Sequence, residues 1–146
     1  MEEFILQGGA NFLKITFSKV FGFPDQTWHF GGYDTESELE IYSDGFKIHS
    51  NLYISTGDIY EFYQQLVEAN KILSGSVHLM SYEGNLECDL KYNINGHISI
   101  SGIFSKQNMY SNKLNFHFES DQSYIQSTLH QLEAITNKYG GPKGVK

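Results

Sequence analysis

The sequence predicts an α+β protein, a two-layer domain in which one antiparallel β-sheet of about six to seven strands carries two helices on one face. Three observations predict it. Most of the chain alternates apolar and polar residues with the period of two that marks a half-buried strand. Two stretches instead place apolar residues at helical spacing behind a capping signal. The strands of the second half are joined by short turns, as in an antiparallel meander with one wet face.

Taken in order, Asn11–Val20 sets Leu13, Ile15 and Phe17 on one side and Lys14, Thr16 and Ser18 on the other. Residues 21–33 have no clean period and read as a loop rich in aromatic residues. Its Trp28 fits a core position, a lid over the sheet edge or an interface. Residues 36–43 alternate again, with Leu39 and Ile41 inward and Glu36, Glu38, Glu40 and Tyr42 outward. Asp44-Gly45 is a tight-turn pair, which makes residues 46–54 the partner strand of a hairpin. A first helix begins at Ser55 or Thr56, where Ser55 and Asp58 have capping-box spacing. Its stripe is Ile59, Phe62, Tyr63, Leu66, Val67 and Leu73, and Gly75 is placed to end it in a left-handed conformation.

Four strands follow, at residues 76–82, 86–92, 97–103 and 113–120. Their inward positions include Val77, Leu79, Leu86, Cys88, Leu90, Ile98, Ile100, Leu114, Phe116 and Phe118. Asp121 caps a second helix whose buried stripe is Ile125, Leu129, Leu132, Ile135 and Tyr139, and Gly140-Gly141-Pro142 stops it. Residues 1–140 form the domain and residues 141–146 a flexible tail; no internal repeat is visible.

Composition narrows the function. The chain has no arginine, and 17 carboxylates face 10 lysines for a net charge of −7. Arginine is the usual bidentate reader of phosphate, so the balance argues against a nucleic-acid partner and toward a basic one. A compositional bias of the genome would produce the same absence. The single cysteine, Cys88, excludes an internal disulfide and fits a reducing compartment. No apolar run is long enough for a signal peptide or a membrane span, which makes the expected location cytoplasmic, with no membrane partner.

No catalytic, metal or cofactor motif emerges. With Gly84-Asn85 as a two-residue turn, His78, Lys91, Ser99 and His117 form one cross-strand row, and the two histidines lie about 14 Å apart. His97 then falls beside Glu119, and the histidines do not converge on a metal. Cys88 shares the inward parity of Leu86 and Leu90, away from any base. The glycine pairs lack phosphate-loop spacing.

The densest charge feature is Asp34, Glu36, Glu38 and Glu40, with Tyr42 beside them. Local lysines do not offset their repulsion in the sequence, so a cationic partner would relieve it; a solvated strand resisting aggregation is the alternative. Tyr42, Tyr82 and Tyr110 are further interface candidates.

With this layout the chain resembles the WapI-type bacterial immunity proteins, the partners of a contact-dependent wall-associated toxin. The resemblance lies in Phe23-Pro24…Trp28 before a glycine-rich turn into an acidic strand, and in the capped helix from Asp58 to Leu66. It continues through Leu73-Ser74-Gly75 into the meander and ends on Leu114 to Gln122, a strand running into an Asp-Gln-capped helix. It implies a non-catalytic antitoxin, without cofactors, that binds and neutralises a toxin domain, often a nuclease. The expected partner is a basic toxin domain, met through Asp34, Glu36, Glu38, Glu40 and Tyr42 by a monomer or weak homo-oligomer. The competing readings are a small-ligand binder and an oligomerising module paired through strand 36–43.

Overall fold

The computed structural model describes residues 1–106 and 112–146. Among the described residues, eight strands and two helices follow in chain order. They are β1 (Glu3–Gly8), β2 (Asn11–Val20), β3 (Asp34–Ser43), β4 (Phe46–Ser55), α1 (Thr56–Ile72), β5 (Ser76–Met80), β6 (Leu86–Tyr92), β7 (His97–Lys106), β8 (Asn112–Asp121) and α2 (Gln122–Tyr139). Every pairing is antiparallel, and the α+β class with two helices is as the sequence predicts. The strands number eight rather than six or seven, and they divide into two four-stranded sheets, β1-β2-β3-β4 and β5-β6-β7-β8. The extra strand is β1, whose short alternation Phe4-Ile5-Leu6 pairs across Gly9-Ala10 with β2.

The chain is thus two ββββα units in succession, a repeat that residue identities conceal. Both helices start on a capped strand end. The Ser55 hydroxyl accepts from the Asp58 amide at 3.0 Å while the Asp58 carboxylate accepts from the Ser55 amide at 3.1 Å. The Asp121 carboxylate accepts from the Ser123 amide at 2.8 Å. Ile59, Phe62, Leu66 and Ala69 are buried along α1, and Ile125, Thr128, Leu132 and Ile135 occupy the same helical positions along α2. α1 ends on Leu73, itself left-handed at φ 53°, so Leu73 leaves the expected stripe and takes the capping role foreseen for Gly75.

Each helix covers the outer edge of the other unit's sheet. The tenth residue of α1, Gln65, accepts from the His78 amide of β5 at 2.9 Å and donates to its carbonyl at 3.2 Å. The tenth residue of α2, Gln131, accepts from the Ile5 amide of β1 at 2.9 Å, and the Thr128 hydroxyl donates to the Ile5 carbonyl at 2.6 Å. Unpaired edge groups that would template aggregation are satisfied in this way. Where the sheets meet, Ser43 Oγ donates to the His117 carbonyl at 3.1 Å and Ser120 Oγ donates to the Gln7 carbonyl at 2.5 Å. The inward faces of both sheets and the stripes of both helices form one contiguous apolar core. Residues beyond α2 contact the β2–β3 loop: Gly32 donates to the Pro142 carbonyl at 2.7 Å, and Val145 donates to the Tyr33 hydroxyl at 3.0 Å.

Candidate functional site

β3 lies inside its sheet, hydrogen-bonded to β2 on one side and β4 on the other. Pairing of a second copy through this strand is therefore closed to it, since it has no free edge. Thr35, Ser37, Leu39, Ile41 and Ser43 are buried, which turns Glu36, Glu38, Glu40 and Tyr42 outward as the alternation predicts. The expectation that no local lysine offsets these carboxylates is corrected by the neighbouring strands. Lys14 on β2 lies 3.8 Å from Glu40, and Lys19 lies 4.0 Å from Glu36. On β4, His49 is 3.6 Å from Glu38. A bulge between Phe17 and Lys19 is what sets Lys19 opposite Glu36, and strict alternation along β2 does not foresee it. Tyr42 stacks on Phe12 with ring centroids 6.3 Å apart. The carboxylates of this face each have a neighbour of basic type, in pairs exposed enough to be worth little for stability.

Asp34, the first residue of β3, faces different company. Its carboxylate accepts from the Tyr82 hydroxyl at 2.8 Å, and Tyr82 belongs to the β5–β6 turn. Burial, with the bond to Asp34 second, pushes the Tyr82 hydroxyl up in pKa. Burial likewise raises the Asp58 carboxyl, against the lowering effect of its bonds to Ser55. Trp28 and Phe30 of the β2–β3 loop pack here: Trp28 lies tilted at 4.8 Å from Tyr82 and edge-on at 5.2 Å from Phe30. Trp28 is half-buried, between the core and contact readings that the sequence left open. The sequence marks Trp28, Asp34 and Tyr82 singly, but nothing local joins residues up to 54 positions apart. Tyr110 lies outside the described residues.

On the outer face of the second sheet, His78 and His117 do share a row, separated by Asp89 and Ser101 rather than by Lys91 and Ser99. The β5–β6 connection is longer than two residues, which shifts the register by two and so preserves which side chains face out. His97 pairs with Asp121 instead of Glu119 because the β7–β8 register is separately offset by two residues from the expected one. His78 Nδ1 is 2.6 Å from Asp89, and His117 Nε2 is 3.2 Å from Glu119. Among the described residues, no three His, Cys, Asp or Glu side chains are grouped to hold a metal.

Cys88 has no exposed surface, and burial pushes its thiol well above the ordinary range. Dithionitrobenzoate is therefore expected to label no thiol in the native protein and one per chain in denaturant. Rapid native labelling would show an accessible Cys88. No helix is long and apolar enough to cross a membrane.

Neither the curated proteins nor the solved structures contain a match to this chain. A family model does match, that of the immunity protein WapI-like family, over residues 4–140, which takes in both sheets and both helices. With a match over that span, the chain belongs to the WapI-like immunity protein family.

Proposed function

We propose that this protein is a non-catalytic antitoxin of the cytoplasm. It binds the toxic domain of a cognate contact-dependent toxin and blocks it by occupancy. The observation that carries the reading is the family match across residues 4–140. The charge balance supports a basic partner, such as a nuclease domain whose cationic cleft attracts phosphate: the chain carries −7 and no arginine. The β3 face supports it too. Lys14, Lys19 and His49 lie beside the carboxylates in weak, exposed pairs, which can be exchanged for intermolecular ones.

The test is to sequence the genes flanking this one and, with the C-terminal domain of any large toxin reading frame found there, to carry out co-expression and then titration calorimetry on the purified pair. Protection from the toxin and a saturable complex are expected. In that complex, joint reversal of Glu36, Glu38 and Glu40 to lysine should weaken binding about tenfold or more at low salt, and less as salt rises. The fold should lose little stability, because exposed ion pairs are worth about 1 kcal/mol or less each. Unchanged affinity in that variant would move the contact surface off β3.

A further inference from the structure

The two ββββα units differ most in one connection. Between β6 and β7 the chain turns in four residues, 93–96, whereas between β2 and β3 it spends thirteen, residues 21–33. Since the second unit closes the same strand pair with four residues, the scaffold does not demand the longer loop. Loops held on a rigid frame and exceeding what the frame needs are where binding residues concentrate.

This loop is pinned. Phe21 donates to the Asp34 carbonyl at 2.9 Å, Trp28 to the Gly32 carbonyl at 2.8 Å, and the Tyr33 hydroxyl to the Pro24 carbonyl at 2.9 Å. Phe23 packs edge-on against Tyr33 at 5.3 Å and Tyr139 at 4.8 Å. Anchored from that side, the loop presents its other rings outward. Phe30 is 65% exposed although it meets Trp28 edge-on and stacks on Tyr82 at 6.2 Å. The Trp28 indole N–H has no acceptor among the described residues. An unpaired buried donor costs about 1–3 kcal/mol, an unfavourable arrangement that core packing alone does not explain. The Asp34 carboxylate accepts from the Tyr82 hydroxyl at 2.8 Å, and the exposed Glu83 follows Tyr82 in the same turn, so acidic groups lie beside the rings.

Aromatic faces bordered by carboxylates suit one side chain above others. A guanidinium stacks on the rings and takes carboxylate oxygens with its fork of donors. The chain holds no arginine of its own to fill the place. We propose that Trp28, Phe30 and Tyr82, bordered by Asp34 and Glu83, form the anchor site for an arginine presented by a basic protein partner. The site adjoins the β3 face through Asp34, the first residue of that strand. The partner's being a toxin domain rests on the immunity reading; the preference for arginine does not.

Trp28 is the chain's single tryptophan, so its fluorescence reports on this site alone. The full-length protein would be titrated with acetyl-Gly-Arg-Gly-amide, its citrulline counterpart and its lysine counterpart. A saturable change with the arginine peptide is expected, weaker with lysine and absent with citrulline. Asp34→Asn and Phe30→Ala should each reduce the affinity about tenfold, the loss of one charge-assisted bond or one stacking face. Circular dichroism should show both variants folded. No saturable response in the wild type, equal responses to arginine and citrulline, or undiminished binding in both variants would overturn the proposal. Toxin protection is read separately. Peptide binding without protection removes the immunity reading and keeps the site, and protection without peptide binding does the reverse.

Discussion

Replacing Gly8 with alanine is expected to destabilise the protein by about 3 kcal/mol or more, at or beyond the upper end of overpacking costs. Gly8 ends β1 where that strand meets β8 of the other sheet, and a Cβ there would penetrate the Glu119 carbonyl far inside van der Waals contact. The obstacle is backbone on both sides, so no rotamer change relieves it. The sheets would have to separate, which would strain the bonds from Ser43 to the His117 carbonyl and from Ser120 to the Gln7 carbonyl. Urea unfolding should show a lower midpoint with an unchanged slope. Gly9→Ala provides the comparison, because a Cβ at Gly9 meets nothing within 4 Å and only its φ of +62° resists the change. That left-handed residue should cost about 1–2 kcal/mol. A Gly8 variant no less stable than the Gly9 variant would show that the junction between the sheets yields easily.

Phe62→Ala should cost about 3–5 kcal/mol, the range for deleting a buried aromatic ring. Phe62 has no exposed surface and sits on α1 with its ring centroid 6.0 Å from that of Phe4 on β1. It joins the first unit's helix to the start of its sheet, and Phe4 is itself fully buried rather than a surface side chain able to swing into the gap. Against a total stability of about 5–15 kcal/mol, the variant should lose a large share of its stability and melt well below the unsubstituted protein. Thermal denaturation followed by circular dichroism measures this directly, and a loss below about 1 kcal/mol would mean the core closes over the void.

Local physics made the elements readable. Alternation is a property of neighbours, so Leu39 and Ile41 against Glu38 and Glu40 give the faces of β3 without knowledge of its partners. Capping likewise needs only Ser55 and Asp58, three residues apart. What stayed hidden depends on distant residues. Strand pattern does not reveal that α1 interrupts the pairing so that β5 founds a second sheet, because each strand presents one apolar face in either arrangement. The duplication escaped notice for a related reason. Phe62 and Thr128 hold the same place in their helices, yet one packs a ring and the other donates a hydroxyl bond. At the candidate site, Glu36 to Tyr42 were legible because they lie on one strand. The cluster of Trp28, Asp34 and Tyr82 depends on a loop and a turn brought together by the whole fold.

The exchange of helices between the two units bears on when protection can begin. Ile5 obtains its edge partners from Thr128 and Gln131, more than 120 residues later in the chain. At about 5–20 residues per second on the ribosome, the first sheet emerges roughly ten seconds before its covering helix exists. The opening half must wait with β1 bare, and a newly made chain is complete as a fold only after its last helix has left the exit tunnel. On the immunity reading proposed above, a cell exposed to a toxin would be guarded by the stock of finished molecules rather than by those still being made.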